Sequence, residues 1–144
     1  SRISLSASMD KVVYRVENRL DPDEFLDVLR RSGLAARRPV DEPDRIRGMV
    51  ENANLTVAAR DSDGLLIGIA RSITDFAYCC YLSDLAVDVA WQKKGIGREL
   101  IRRTRDSIHP KALLLLLSAP AAMDYYPRIG MEKLDTCFAF RRRS

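Results

Sequence analysis

An apolar stretch and an amphipathic stretch, separated by a glycine-bearing turn, dominate the pattern of this chain. Residues 78–89 are mostly apolar or aromatic, which predicts a strand covered on both faces. In residues 96–107, apolar side chains recur on one helical face and charged side chains fill the other, which predicts a helix. Residues 112–117 contain five consecutive leucines and suit a second buried strand. Together these stretches predict a right-handed βαβ unit with parallel strands.

The rest of the chain alternates between strands and helices around that unit. Asp21-Pro22 is a favourable helix start, and Gly33 ends that helix. A second helix begins at Asp41-Glu42-Pro43 and runs to about Asn52. Residues 61–64 are typical of a hairpin turn, so the strands from 55 to 89 should form an antiparallel meander. The other predicted elements are strands at 11–17, 55–60 and 65–74, a short helix at about 120–126, and a terminal hairpin of 132–134 with 137–141.

Composition then limits the class of protein. The chain has 144 residues, 47% of them hydrophobic, which suits a single domain over residues 1–144. No run approaches the roughly 20 apolar residues of a membrane span. We expect residues 1–9 to be disordered or an addition to the natural chain, with Met9 as the natural start.

Net charge and cysteine content limit the binding partners and the cellular compartment that we expect. The net charge of +4 is modest and the basic residues are dispersed, so we expect neither nucleic-acid nor membrane partners. The three cysteines are odd in number and lack metal-binding spacing, which predicts reduced thiols in the cytoplasm. With His109 as the only histidine, we expect no metal site.

The turn between the long strand and its helix carries the candidate chemistry. Gly95 and Gly97 let the backbone approach a ligand, and unpaired N–H groups at a helix start form an anion site suited to phosphate. A dinucleotide fingerprint would need a third glycine where Leu100 stands, and a P-loop would need Gly-Lys-Ser/Thr where the chain has Gly97-Arg98-Glu99. Both motifs are excluded. The basic residues of the turn are Lys93, Lys94 and Arg98.

Two motifs resemble those of the GNAT superfamily of N-acetyltransferases. Gln92-Lys93-Lys94-Gly95-Ile96-Gly97, directly after a Leu-x-Val strand, resembles the family's acetyl-CoA signature Gln/Arg-x-x-Gly-x-Gly/Ala. Tyr126-Pro127-Arg128-Ile129-Gly130-Met131 resembles its Tyr-x-x-x-Gly-Phe segment, with Met131 replacing the phenylalanine and Pro127 as a larger departure. The alternative for the first motif is a structural corner that requires small residues.

The resemblance covers nearly the whole chain and implies a fold. It is an α/β (α+β) fold with a central mixed, mostly antiparallel sheet of about six to seven strands and about four helices. A splayed parallel pair lies in the middle of that sheet. Proteins with this fold often form dimers, so a homodimer is an open alternative.

The resemblance also implies an activity. In this family an amine attacks the thioester of acetyl-CoA directly, with both substrates bound, which implies acetyl transfer to the primary amine of a small molecule without a metal. The alternatives are a protein (lysine or N-terminal) acetyltransferase and a non-catalytic acyl-CoA-binding module. The family often has an asparagine that contacts the cofactor where this chain has Ala119, so Ser118 is the residue that could supply this contact. The implied cofactor-binding residues are Leu85, Ala86, Val87, Gln92, Lys93, Lys94, Gly95, Ile96, Gly97, Arg98, Ser118 and Tyr126.

Two side chains are candidates for proton transfer. The resemblance gives Tyr126 the protonation of the leaving thiolate, with Tyr125 as the fallback. An alkylammonium with a pKa near 10.4 is charged at pH 7, so a carboxylate in the cleft can attract it and pass on its proton. Asp84 is that candidate, and the alternative is that it pairs with an arginine or faces a loop. If a bulge reverses the strand's alternation, Tyr81 and Ser83 become alternatives.

The acceptor site is expected at the connection between the first two helices, residues 33–40. Arg37 and Arg38 there would suit an acidic acceptor, although exposed loop arginines are more often solvated. Residues 68–71 and 84–88 loosely resemble arylalkylamine-type acetyltransferases of plastids and bacteria. That resemblance implies a small aromatic or aliphatic amine.

Overall fold

Five strands lie side by side in chain order in the computed structural model, which describes residues 11–143. The first four strands pair antiparallel and the fifth is parallel to the fourth, which confirms a mixed, mostly antiparallel sheet. Residues 1–9, expected to be disordered or an addition to the natural chain, lie outside the described residues. The strands are β1 (Val13–Val16), β2 (Leu55–Arg60), β3 (Leu66–Thr74), β4 (Cys79–Val87) and β5 (Leu113–Leu115).

Four α-helices flank the sheet within residues 11–143, and the first two begin and end where the sequence predicts. They are α1 (Pro22–Ser32), α2 (Pro43–Asn52), α3 (Ile96–Asp106) and α4 (Tyr125–Arg128). The carboxylate of Asp21 accepts a hydrogen bond from the backbone N–H of Asp23 at 3.0 Å, and Gly33 ends α1 at φ 86°.

The predicted helix over residues 120–126 is wrong in its bounds. A single 3₁₀ turn at Pro120–Ala122 is followed by the separate helix α4. Pro127 has no N–H to continue a helix that started at Pro120, but it is tolerated in the first turn of a helix that starts at Tyr125.

The core lies on both faces of the sheet. Phe25, Val28 and Leu29 of α1 pack with α2 on one face, and α3 packs on the other. Gly68 of β3 lets α3 approach closely, because a Cβ at this position would lie 3.2 Å from the side chain of Leu100. This packing brings the start of α3 against the end of β4.

The parallel pair β4 and β5 separates after a short ladder. The register runs from Cys79–Leu113 to Tyr81–Leu115 and stops there, so residues 82–87 of β4 have no strand neighbour on the β5 side among the described residues. The splayed pair is therefore present. It lies at the edge of the sheet and not in its middle, because no strand follows β5 in the part of the chain that the structure describes.

The predicted terminal hairpin does not form in the described chain. Gly130, at φ 98°, turns the chain out of α4, and residues 132–143 contain no strand. Glu132-Lys133-Leu134 offers one apolar side chain, and a hairpin of two short strands is marginal without a sheet to join. The sheet consequently has five strands where six to seven were expected. In the described part of the chain, no helix has the length and apolar character needed to cross a bilayer.

Candidate active site

The corner between β4 and α3 exposes backbone N–H groups. The carboxylate of Asp88 accepts from the N–H of Ala90 at 2.9 Å and starts a 3₁₀ turn. Lys93 (φ 64°) and Gly95 (φ 82°) then adopt left-handed conformations that lead into the helix. The N–H of Glu99 bonds to the carbonyl of Gly95 at 3.0 Å, so the N–H groups of residues 96–98 precede the first helical bond. These groups form a potential anion site.

Basic side chains surround this corner. Lys93 and Arg98 are exposed, and the ammonium of Lys94 lies 5.1 Å from the centroid of the Trp91 ring. The Gln92 side chain is directed towards β4 and not towards the helix N-terminus, since its amide donates to the carbonyl of Val87 at 3.0 Å. The corner therefore combines positive side chains with a helix N-terminus, and Gln92 secures the end of β4 beside it.

Residues 85–87 of β4, which were predicted to bind the cofactor, border the gap between the splayed strands β4 and β5. Leu85 and Val87 are half-buried on the α3 side, whereas Ala86 is buried against the cluster formed by α1 and α2. A Cβ at Gly97 would lie 3.9 Å from the side chains of both Leu85 and Val87. The gap and the start of α3 are thus contiguous.

Two adjacent tyrosines approach this region from α4. A Cβ at Gly97 would lie 3.2 Å from the hydroxyl oxygen of Tyr125, whose ring meets that of Tyr126 edge-on with centroids 5.2 Å apart. Burial raises the pKa of both phenols, and nearby Arg98 partly offsets the effect on the pKa of Tyr125. Both side chains therefore remain protonated at neutral pH and can donate a proton.

A groove of about 1310 Å³ extends from Tyr126 along β5. Its walls are β5, the outer face of α3, and residues 131–134 with Cys137, and it reaches Arg98 and Ser118. The hydroxyl of Ser118 donates to the carbonyl of Ala119 at 2.7 Å. Among the predicted site residues, Gly95, Arg98, Ser118 and Tyr126 share this groove, while Leu85, Ala86 and Val87 do not line it.

A β-bulge reverses the alternation of β4. Arg71 of β3 is opposite Asp84, but the next residue of β3 is opposite Leu82, so Ser83 is the extra residue. Before the bulge, Leu82 packs towards α3, which directs its neighbour Tyr81 to the opposite face. Asp84 lies on that same face after the bulge. The condition under which Tyr81 and Ser83 become alternatives to Asp84 is therefore met.

Asp84 is fully buried and paired with two arginines. Its carboxylate accepts from the guanidinium groups of Arg38 and Arg71. Arg71 also donates to the carbonyl of Met49 at 3.0 Å, and its guanidinium lies 6.0 Å from the ring centroid of Phe25. These contacts favour the arginine-paired alternative, because guanidinium donors occupy both oxygens of the carboxylate.

Arg38 links the connection between α1 and α2 to the bulge, a role that sequence reasoning missed. Besides Asp84, its guanidinium donates to the carbonyl of Ser83 at 2.9 Å and to that of Arg37 at 2.8 Å. The sequence analysis considered Arg38 only as a charge facing an acceptor. An arginine partner for Asp84 was among the alternatives, since a buried carboxylate requires a cation, but no local pattern identified Arg38 as that partner.

Comparisons with known proteins agree with this architecture. The family model described as "Acetyltransferase (GNAT) domain" matches residues 26–141. A comparison with curated proteins found no match.

Solved structures of several acetyltransferases share the fold. A GNAT family acetyltransferase from Streptococcus pneumoniae TIGR4 is 16% identical, with 93% of this chain and 98% of that chain covered and a TM-score of 0.74. The aminoglycoside acetyltransferase AAC(6')-Iy, in complex with a bisubstrate analogue of CoA and acetylneamine, is 16% identical, with coverages of 93% and 99% and a TM-score of 0.69.

A third similar structure is an aminoglycoside acetyltransferase from an uncultured soil metagenomic sample, in complex with sisomicin. It is 18% identical, with coverages of 92% and 97% and a TM-score of 0.66. At these identities the structures establish the fold, and the family match over residues 26–141 establishes membership. The chain belongs to the GNAT family of acetyltransferases.

Proposed function

We propose that this enzyme transfers the acetyl group of acetyl-CoA to a primary amine of a small molecule, with both substrates bound at once. The observation that carries the proposal is the separation of β4 from β5 after the Tyr81–Leu115 pair, immediately beside an exposed, basic helix N-terminus. A phosphate-bearing ligand with a long, narrow tail fits this combination, because the corner suits its charge and the gap suits its tail.

The corner would hold the pyrophosphate of CoA. The backbone N–H groups of residues 96–98 and the side chains of Lys93 and Arg98 would supply the donors and the positive charge. Gly97 fits this role because a side chain here would project towards Tyr125, Leu85 and Val87. The backbone of residues 85–87 would then pair with the pantetheine arm in the gap, as an added strand would.

The thioester of acetyl-CoA supplies an activated acetyl group, so the protein's task is to place the amine and to manage protons. A tyrosine of α4 would donate a proton to the leaving thiolate. Tyr126 holds the position that the family motif assigns, and Tyr125 is the fallback because its hydroxyl approaches Gly97. The raised pKa of each phenol keeps the proton available at neutral pH.

On the opposite face of β4, we assign Asp84 a positioning role in place of the base role. Its pairing with Arg38 and Arg71 fixes the bulge and the connection between α1 and α2, which would form the acceptor wall. A water molecule, hydrogen-bonded to the hydroxyl of Tyr81, which is half-buried on the same face, would then accept the amine's proton and pass it to bulk solvent. Deprotonating an alkylammonium at pH 7 costs roughly 4–5 kcal/mol, which is a small part of a typical activation free energy.

The acceptor is proposed to be a small amine. Two structures with the same fold are aminoglycoside acetyltransferases, one with sisomicin and one with a CoA–acetylneamine analogue. This likeness supports aminoglycosides as candidate acceptors, which we would test together with aromatic and aliphatic amines.

The test is a thermal-shift and thiol-release assay with CoA and acetyl-CoA against a panel of aminoglycosides, arylalkylamines, aliphatic amines and lysine-containing peptides. We expect CoA to raise Tm and a small amine to release thiol. Turnover confined to peptides would favour a protein acetyltransferase, and stabilisation without turnover would favour an acyl-CoA-binding module. No stabilisation by CoA would contradict the proposal as a whole.

A further inference from the structure

The carboxylate of Asp88 connects the corner between β4 and α3 to the helices on the opposite face of the sheet. Its Oδ1 accepts from the backbone N–H of Ala90 at 2.9 Å and starts the turn that leads to Gly97. Its Oδ2 accepts from the guanidinium of Arg31 at 2.5 Å. Because Asp88 is only 7% exposed, these two protein partners fix the orientation of the carboxylate.

Arg31, in the last turn of α1, is itself held firmly in place. Its Nε donates to the carboxylate of Asp27, one turn earlier, at 2.9 Å, and a terminal nitrogen donates to the carbonyl of Leu66 at 2.5 Å. Leu66 is the first residue of β3, so one planar guanidinium joins α1, β3 and the residue that follows β4. Through these contacts, Arg31 acts on the corner by way of Asp88.

The direction of the corner depends on this carboxylate. The backbone N–H of Asp88 donates to the carbonyl of Ile67 at 2.8 Å, which fixes the end of β4 against β3. The N–H of Trp91 bonds to the carbonyl of Asp88 at 2.8 Å, which keeps the following turn compact but leaves it able to swing about the end of the strand. The bond from Ala90 to the carboxylate removes that freedom, and Arg31 holds the carboxylate.

We propose that Arg31 is a positioning residue for the cofactor, because by holding Asp88 it fixes the turn that presents the N–H groups of residues 96–98. This role rests on the proposed function, since it takes the corner as the pyrophosphate site. Several N–H groups bind one anion only when they converge on it, and a misplacement of about 1 Å at a functional site can cost about 100-fold. Loss of Arg31 should therefore weaken CoA binding without removing a contact to CoA.

Calorimetric titration with CoA compares Arg31→Met with a matched control, Arg60→Met. Both arginines are largely buried, with side chains 24% and 20% exposed, and each bonds to two carboxylates and one carbonyl. The partners of Arg60 are Glu17, Glu24 and the carbonyl of Gly64, which lie at the β1 side of the sheet and in the turn before β3.

Both substitutions should lower Tm, because each breaks a partly buried network of similar size. At a temperature where both variants are folded, Arg31→Met should raise the Kd for CoA about 10-fold or more, and Arg60→Met should leave it within about 2-fold of wild type. Equal Kd values for the two variants would overturn the positioning role alone. A wild type that does not bind CoA would instead contradict the proposed function.

Asp88→Asn tests whether the effect passes through Asp88. Asparagine offers one acceptor oxygen where aspartate offers two, so it cannot serve Ala90 and Arg31 together. Because Arg31→Met and Asp88→Asn break the same connection, the double variant should bind CoA about as weakly as the weaker single variant. Additive losses of binding free energy would overturn the route through Asp88.

Arg31→Lys separates position from charge, and it also decides the proposal if Arg31→Met does not fold. Lysine keeps the positive charge but has a single nitrogen, so it cannot join α1, β3 and Asp88 at once. The Kd for CoA should remain about 3-fold or more above that of wild type. Full recovery of affinity would show that Arg31 attracts the anion by its charge alone and would overturn the positioning role.

Discussion

Arg38 donates to the carboxylate of Asp84 and also to the carbonyl of Ser83, the latter at 2.9 Å. One guanidinium thus bonds to the bulged residue of β4 and to the residue that follows it. Arg71 pairs with the same carboxylate from β3. The ion pairs of Asp84 with Arg38 and Arg71 therefore hold the connection between α1 and α2 against the bulge of β4.

Replacing Asp84 with Asn should destabilise the fold strongly. The change keeps the size of the side chain but leaves Arg71, only 7% exposed in its side chain, with an uncompensated positive charge. Breaking a buried pair in this way costs about 3–5 kcal/mol of unfolding free energy. Urea denaturation followed by circular dichroism measures the loss.

Asp44→Asn is the control for this substitution. Asp44 pairs with Arg47 at 3.1 Å on the surface of α2, where its side chain is 95% exposed. Such a pair contributes about 0.5 kcal/mol or less. Similar losses for Asp84→Asn and Asp44→Asn would contradict a structural role for the buried network.

Tyr126→Phe should lower kcat by about 10²–10⁴-fold while leaving the Kd for CoA nearly unchanged, because it removes a proton donor and keeps the ring. Burial raises the pKa of Tyr126 above its ordinary value of 10.0, so the phenol stays protonated and wild-type kcat should not fall between about pH 7 and pH 9 through loss of this proton. Steady-state kinetics and calorimetric titration with CoA provide the two readouts.

Tyr125→Phe is the companion variant, since it removes the neighbouring hydroxyl from the same helix. A larger loss of kcat in Tyr125→Phe would transfer the donor role to Tyr125, whose hydroxyl approaches Gly97. Unchanged kcat in both variants would exclude a tyrosine of α4 as the proton donor.

Gly97→Val should weaken CoA binding by about 10-fold or more. The new Cβ would lie 3.2 Å from the Tyr125 hydroxyl and 3.9 Å from Leu85 and Val87, so a branched side chain would fill the gap at the helix start. Gly48→Val is the matched control, because a Cβ at Gly48 of α2 meets nothing within 4 Å. Equal affinities of the two variants for CoA, by calorimetry, would place the pyrophosphate elsewhere.

The elements around this site follow from local sequence. Asp21, Pro22 and Gly33 set the bounds of α1 through a cap, a fixed φ and a left-handed turn, all of which depend on neighbouring residues. The β4–α3 corner was predictable for the same reason. Its glycines, basic residues and amphipathic helix lie within a few positions of one another.

The features that sequence reasoning missed depend on distant residues. Arg38 meets Asp84 across 46 positions, and no periodicity links them. The bulge at Ser83 arises from the register between β3 and β4, which neither strand determines alone. The terminal hairpin was predicted from local sequence alone, but a strand also needs a neighbour, and residues 132–143 have no strand neighbour in the described chain.

Glu99→Gln should reduce stability at neutral pH but have less effect in acid. Glu99 accepts from Arg102 at 2.6 Å and from Arg103 at 2.8 Å, and these hydrogen bonds lower its pKa from 4.5 to about 2. A lowered folded-state pKa stabilises the fold above pH 4.5, and this contribution is lost as the pH falls towards 2. Because Arg102 is exposed and Arg103 is half-exposed, solvent screens both pairs, and the difference from wild type should be about 1 kcal/mol or less at pH 7 and should shrink by pH 2.5. Urea denaturation at the two pH values measures it, and a difference that stays constant would show that the lost contact is not ionic.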